Sequence, residues 1–151
     1  MVEIKACPIQ VAFYRTSLHK KWTLTVIRDL LLGVKHFSGF LKGNPELSAK
    51  VLSQRLKEME SEGLISKKVF STTPVTVEYE LTSKGKALNK ILYELSMYGA
   101  KYYTEDVFGE SNIASQEAIN IFGGGFMLPD DELDFYKSPT VLKDNIIDVP
   151  S

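Results

Sequence analysis

A mostly α-helical fold with one small β-hairpin wing, the winged helix-turn-helix arrangement, homodimeric through its terminal helices, is predicted for this chain of 151 residues. Three observations predict it. Apolar residues recur at helical spacing in successive stretches. Two short segments with β-branched alternation, LISKKVFS and VTVEYEL, are separated by the turn-prone TTP at residues 72–74. The order is helix, helix, short helix, turn, longer helix, hairpin, long helix.

Each element has its own local reason. In CPIQVAFYRTSL, Cys7 takes the cap position, Pro8 fits the first helical position, and Ile9, Ala12 and Phe13 make an apolar side. KWTLTVIRDLLLG is a strongly apolar helix ending at Gly33, with Trp22, Val26, Ile27, Leu30 and Leu31 expected to dominate the core. HFSGFLKGNPEL gives a helical turn over residues 37–42, and Gly43, Asn44 and Pro45 break it. LSAKVLSQRLKEMESEGLI is a helix with Ser48 as N-cap, Val51, Leu52, Leu56 and Met59 at helical spacing, and Gly63 at its stop. After the hairpin, Thr82 or Ser83 caps a long amphipathic helix whose apolar positions are Leu88, Ile91, Leu92, Leu95, Tyr98 and Tyr102.

The composition, 44% hydrophobic and 25% charged, is that of a globular domain. No apolar run approaches the roughly 20 residues of a membrane span, and no signal-peptide pattern opens the chain, so a cytoplasmic protein without a membrane partner is expected. The single cysteine excludes an intramolecular disulfide. Neither it nor the two histidines show metal-ligand spacing, and no nucleophile has an orienting base, so no metal, cofactor or catalytic site is expected. The net charge of −1 conceals a split. Residues 1–103 hold 16 Lys and Arg against 9 Asp and Glu, a net of +7, and residues 104–151 hold 2 against 10, a net of −8. A basic domain at 1–103 and an acidic, apolar-rich extension at 104–151 are therefore expected, with a polyanion as partner of the first.

The helix at residues 47–65 carries an unusual polar face. Its first three turns hold Lys50, Ser53, Gln54, Arg55 and Lys57, while Glu58, Glu60 and Glu62 come last. The helix dipole favours the opposite order, so helix stability did not select it. In a winged helix the helix after the turn lies in the major groove of double-stranded DNA. Lys and Arg there suit phosphates or guanine edges, and Gln suits adenine. The candidate DNA-contacting residues are Ser48, Lys50, Val51, Ser53, Gln54, Arg55 and Lys57 on this helix, with Lys67, Lys68 and Thr76 on the hairpin. Alternate strand residues face opposite sides, so only one of Lys67 and Lys68 turns toward DNA. A winged helix that serves only as a protein-protein interaction module is the alternative, and an acidic extension suits it.

CPIQ, KWTLTVIRDLLLG, HFSGF, LSAKVLSQRLKEMESEGLI and VEYELTSKGKAL, in this order and spacing, resemble the HxlR-type winged helix-turn-helix transcriptional regulators, relatives of the MarR group. The resemblance spans about residues 7–103. It implies a homodimeric regulator on a pseudo-palindromic operator, often responsive to oxidants or electrophiles through a cysteine before the first helix, here Cys7. The effector is not named by the sequence. The resemblance also implies a second reading of Arg55, in which a family-typical arginine at this place braces the domain instead of touching DNA. Two departures stand out: Val75 and Thr76 occupy the place of a second proline and an arginine on the wing, and the extension is longer than usual.

Cys7 at a helix start, near Lys5, has its thiolate favoured by dipole and charge, although lone cysteines are commonly structural. Leu88, Ile91, Leu92, Leu95, Tyr98 and Tyr102 are the candidate dimerisation residues, with ligand stacking on the tyrosines the weaker reading. In the extension, a helix near residues 115–122, a stop at the glycines 123–125 and an extended segment after Pro129 are expected to fold back on the body. Its acids Asp130, Asp131, Glu132 and Asp134 would mask the basic face in a second reading.

Overall fold

The helix expected over residues 47–65 forms as Ala49–Ser61, and its two ends show why. Ser48 has extended backbone, and its hydroxyl accepts the Val51 N–H at 3.2 Å. At the other end Gly63 turns left-handed at φ +77°, which lets the Leu64 N–H reach back to the Met59 carbonyl at 2.9 Å. The computed structural model describes residues 2–109. In chain order it contains α1 (Pro8–Arg15), α2 (Thr23–Leu31), α3 (Phe37–Gly43), α4 (Ala49–Ser61), β1 (Ile65–Phe70), β2 (Thr76–Leu81), α5 (Ser83–Lys86), α6 (Asn89–Tyr102) and α7 (Thr104–Phe108). The expected helix at 115–122, the glycine stop and the acids at 130–134 lie outside the described residues.

The chain divides into two units, Met1–Ala87 and Leu88–Ser151. In the first, one core collects the apolar stripes of three helices and the root of the hairpin. Val26, Ile27, Leu30 and Leu31 of α2, Phe40 of α3, and Leu52, Leu56 and Met59 of α4 are buried together with Leu47, Leu64, Ile65 and Leu81. Each such side chain contributes about 1.5 to 3 kcal/mol of burial, which orients α4 from behind while leaving its polar face outward.

Trp22 corrects the expected core. It precedes α2, and its backbone is left-handed at φ 78°, outside the helix on which Val26 and Leu30 are buried. The ring is half-buried, with the Lys21 ammonium 5.2 Å from its centroid. Likewise α1 forms with Pro8 in its first turn but buries none of its residues: Ile9 is 67% and Phe13 46% exposed.

The hairpin is antiparallel, in the register Ile65↔Leu81, Lys67↔Tyr79 and Phe70↔Thr76. Only its root is buried. A backbone bond from the Tyr79 N–H to the Lys35 carbonyl, 2.9 Å, ties β2 to the segment before α3, and the Tyr79 ring meets Phe40 edge-on at 6.5 Å.

The single long helix expected after the hairpin is two helices. Thr82 caps α5, accepting the Gly85 N–H at 3.2 Å, but Ala87 and Leu88 have ψ of −16° and −6°, too shallow to continue an α-helix. In the second unit α6 therefore starts at Asn89, and α7 follows it after Thr104 bonds the Ala100 carbonyl at 2.8 Å. The extension's first residues, Thr104–Phe108, are thus helical.

Candidate nucleic-acid interface

Lys50, Gln54 and Lys57 follow one another at spacings of four and three residues along α4 and are all exposed. Ser48 and Ser53 flank this row, Ser48 exposed and Ser53 half-buried; Val51 is half-buried at its edge. The row lies opposite the buried Leu52, Leu56 and Met59, so packing of the core decides which way it points.

Arg55 stands apart from that row. Its Nε donates to the Lys21 carbonyl at 2.9 Å, its Nη1 lies 3.1 Å from Glu58, and only 14% of the side chain is exposed. The guanidinium braces α4 against the segment before α2. Glu58 is the hub: it also accepts from Lys20 Nζ at 2.8 Å and Gln54 Nε2 at 3.3 Å. Partial burial pushes its carboxyl up, but Lys20 and Arg55 more than offset that and hold it below the ordinary value of 4.5. Glu62 accepts from the buried Ser17 hydroxyl at 3.1 Å, and its carbonyl accepts from Lys84 at 2.8 Å. Glu58 in α4 and Glu62 just past its end thus serve as anchors.

Because the folded pKa of Glu58 is depressed, the unfolded chain takes up its proton first. The stability it contributes is present above about pH 4.5 and is lost as pH falls through the lower folded value. The gap in melting temperature between wild type and Glu58→Gln should therefore narrow as the solution is acidified. Parallel melting profiles down to strong acid would discard this assignment.

A second network went unread in the sequence. Asp29, buried in α2, accepts from Asn44 Nδ2 at 2.7 Å and from both Nε and Nη2 of Arg28 at 3.0 and 2.7 Å. Asn44 also donates to the Phe40 carbonyl at 2.8 Å. Together these bonds fix the turn between α3 and α4 to α2. An acid inside the apolar run VIRDLLLG was the available signal.

On the wing, Lys68 Nζ pairs with Glu80 at 2.8 Å, both side chains more than half exposed. The pairing raises the Lys68 pKa and lowers that of Glu80. Lys67, opposite Tyr79, is exposed and stands on the strand face that buries Ile65 and Leu81 at the root. Thr76 is half-buried, its hydroxyl 3.0 Å from that of Thr72.

Cys7 is exposed at the start of α1, its side chain making no capping hydrogen bond. Of the expected dimerisation stripe, Leu92 is buried within the chain, Leu88 is half-buried, and Ile91, Leu95, Tyr98 and Tyr102 remain 50 to 61% exposed. Tyr98 stacks obliquely on Tyr102 with centroids 5.0 Å apart. Among the described residues no cluster of three His, Cys, Asp or Glu forms a metal site, and no helix is long and apolar enough to cross a membrane.

The model of the HxlR-like helix-turn-helix family matches residues 17–107, well over half of the chain. The chain belongs to this HxlR-like family. It is 45% identical over 85 residues to the HTH-type transcriptional regulator YvaP of Bacillus subtilis strain 168, covering 56% of this chain and 79% of YvaP. Among solved structures, the reduced form of the transcriptional regulator YodB from B. subtilis superposes with a TM-score of 0.55 at 35% identity, over 64% of this chain and 94% of YodB. The redox regulator HypR in its oxidised form gives 0.57 at 27% identity, over 62% of this chain and 94% of HypR. The HxlR-like match takes in α2 to α6, hence both the α4 row and the wing.

Proposed function

We propose that this HxlR-like chain is a DNA-binding transcriptional regulator that acts as a homodimer, each protomer laying α4 in the major groove of a pseudo-palindromic operator. The observation that carries this is the acid-free row of Lys50, Gln54 and Lys57, exposed on a helix whose opposite side is locked into the core. Lys50 and Lys57 contact phosphates or guanine edges, Gln54 an adenine edge, and Ser48 and Ser53 donate to phosphate oxygens. Arg55 supports this from behind through Lys21 and Glu58.

Lys50→Ala and Lys57→Ala test it on duplexes selected from a randomised pool. A base contact costs about 1 to 3 kcal/mol and relaxes one position of the site; a phosphate contact weakens all sequences alike and reduces the salt slope by about 1. Wild-type affinity and salt slope in both variants would remove α4 from this role. Absence of binding to any duplex at low salt would favour the interaction module instead.

Dimerisation rests on the exposed Ile91, Leu95, Tyr98 and Tyr102 of α6 and on Ile9 and Phe13 of α1, more apolar surface than an isolated protomer leaves in water. Sedimentation should give a dimer for wild type and a monomer for Leu95→Asp; a monomeric wild type at micromolar concentration would sink the proposal. Half-sites then lie about 34 Å apart.

Cys7 is the proposed sensor of oxidants or electrophiles, supported by its exposure and by the redox regulator HypR among the structural neighbours. Since the chain has one cysteine, a disulfide joins two protomers or a protomer to a small thiol. Cys7→Ser should bind DNA and no longer respond to diamide. A persisting response would assign sensing elsewhere.

A further inference from the structure

Gln54 and Glu58 stand one turn apart on α4, and the Gln54 Nε2 donates to Glu58 Oε1 at 3.3 Å. A free glutamine amide can present either its oxygen or its nitrogen to a partner, because a half-turn about its last torsion exchanges the two. Glu58 removes that choice. Its carboxyl is held below the ordinary value, so at neutral pH it carries no proton and only accepts, and the amide must turn its nitrogen toward it. The carboxylate is itself fixed from two sides, by Lys20 Nζ at 2.8 Å from Oε1 and by Arg55 Nη1 at 3.1 Å from Oε2. These two cations offset its charge, which lets an acid stand beside a residue of the exposed row.

We infer that Glu58 is a positioning residue for base specificity: by holding the Gln54 nitrogen it leaves the Gln54 Oε1 and one N–H for the groove, and so restricts Gln54 to adenine. The inference rests on the reading of α4 as the major-groove helix and goes beyond it, since it assigns the selectivity of Gln54 to a half-buried residue outside the exposed row. Adenine offers its N6 donor beside its N7 acceptor, which match an amide oxygen and an N–H. Guanine offers two acceptors, N7 and O6. It would place O6 against the Gln54 oxygen, and turning the amide over to avoid this would set that oxygen against the Glu58 carboxylate. Guanine is therefore disfavoured in either orientation, by a repulsion inside the protein as much as by a contact not made.

The experiment selects duplexes from a randomised pool with the full chain and its variants and compares the preferred base at each position. Wild type should prefer adenine over guanine at one position of each half-site by about tenfold, and Gln54→Ala should abolish that preference and no other. Glu58→Gln should cut it to about twofold at the same position, because an amide there either donates or accepts and no longer dictates how Gln54 faces. Lys20→Ala takes away another part of the brace but leaves Glu58 Oε1 to Gln54, so it should lower the melting temperature and keep the preference. An adenine preference that survives Glu58→Gln, or that is lost equally in Lys20→Ala, overturns the proposal, as does a base other than adenine at the Gln54 position. Should Glu58→Gln fail to fold, Glu58→Asp keeps the charge, withdraws it by one methylene and is held to the same outcomes. If the proposal falls while Lys50→Ala still weakens binding, the α4 reading survives. If Lys50→Ala, Lys57→Ala and Gln54→Ala are all silent, the α4 reading has failed and the proposal with it.

Discussion

Gly85→Ala is expected to destabilise the protein by about 3 kcal/mol, although alanine is the better helix former. Gly85 is buried in α5, and a methyl group there would overlap the Leu64 carbonyl oxygen and press on Leu81. That carbonyl is not free to move. It accepts the Thr82 N–H at 3.0 Å while the Thr82 hydroxyl donates to the adjacent Gly63 carbonyl at 2.6 Å, and these bonds join the end of the hairpin to its beginning. Helix propensity returns at most about 1 kcal/mol, so the overlap wins. Urea midpoints check it: Gly85→Ala should fall well below wild type, while the exposed Lys86→Ala stays within about 0.5 kcal/mol. Equal midpoints for Gly85→Ala and wild type would mean that the chain yields at Leu64 without cost.

The second large effect is expected at Asp29. Its carboxylate is buried between Arg28 and Asn44, and Asp29→Ala removes the acceptor of three hydrogen bonds. Asn44 keeps its bond to the Phe40 carbonyl, and Arg28 is partly exposed and regains water, so the loss is below that of stranding a fully buried charge. About 2 to 3 kcal/mol is the expected cost. The loss should also loosen the α3–α4 turn, so DNA binding should weaken at temperatures where the chain is still folded. Asp29→Asn retains an acceptor oxygen and should recover part of the stability. A variant Asp29→Ala as stable as wild type would show that the network contributes orientation only.

Much of this fold was legible because local rules and core packing agree. Pro8, Ser48, Gly33 and Gly63 mark helix ends by their own backbone chemistry, and the stripe Leu52, Leu56, Met59 names the inward side of α4 without any coordinates. Where the reading departed from the structure, the cause was long-range. Nothing local distinguishes Trp22 from the apolar residues after it; its left-handed backbone follows Lys21, whose carbonyl is held by Arg55 of α4 from 34 positions away. The spacing of Leu88 to Tyr102 suits one continuous helix, and the shallow turn at Ala87 and Leu88 becomes visible only once Gly85 is seen packed on Leu64.

The polar face of α4 shows the same division. The sequence by itself determined that Lys50, Gln54 and Lys57 share the side of one helix opposite Leu52, Leu56 and Met59, with Arg55 and Glu58 between the two, since residue spacing needs nothing beyond the chain. Only the tertiary structure decided which of these are presented and which are bound. Arg55 and Glu58 find Lys20 and Lys21, more than thirty positions away, whereas Lys50 and Lys57 stay exposed on the outward row. A charge at short range to an opposite charge, partly withdrawn from water, is held far more strongly than one facing solvent, and which charges meet in this way is set by the fold bringing distant segments together.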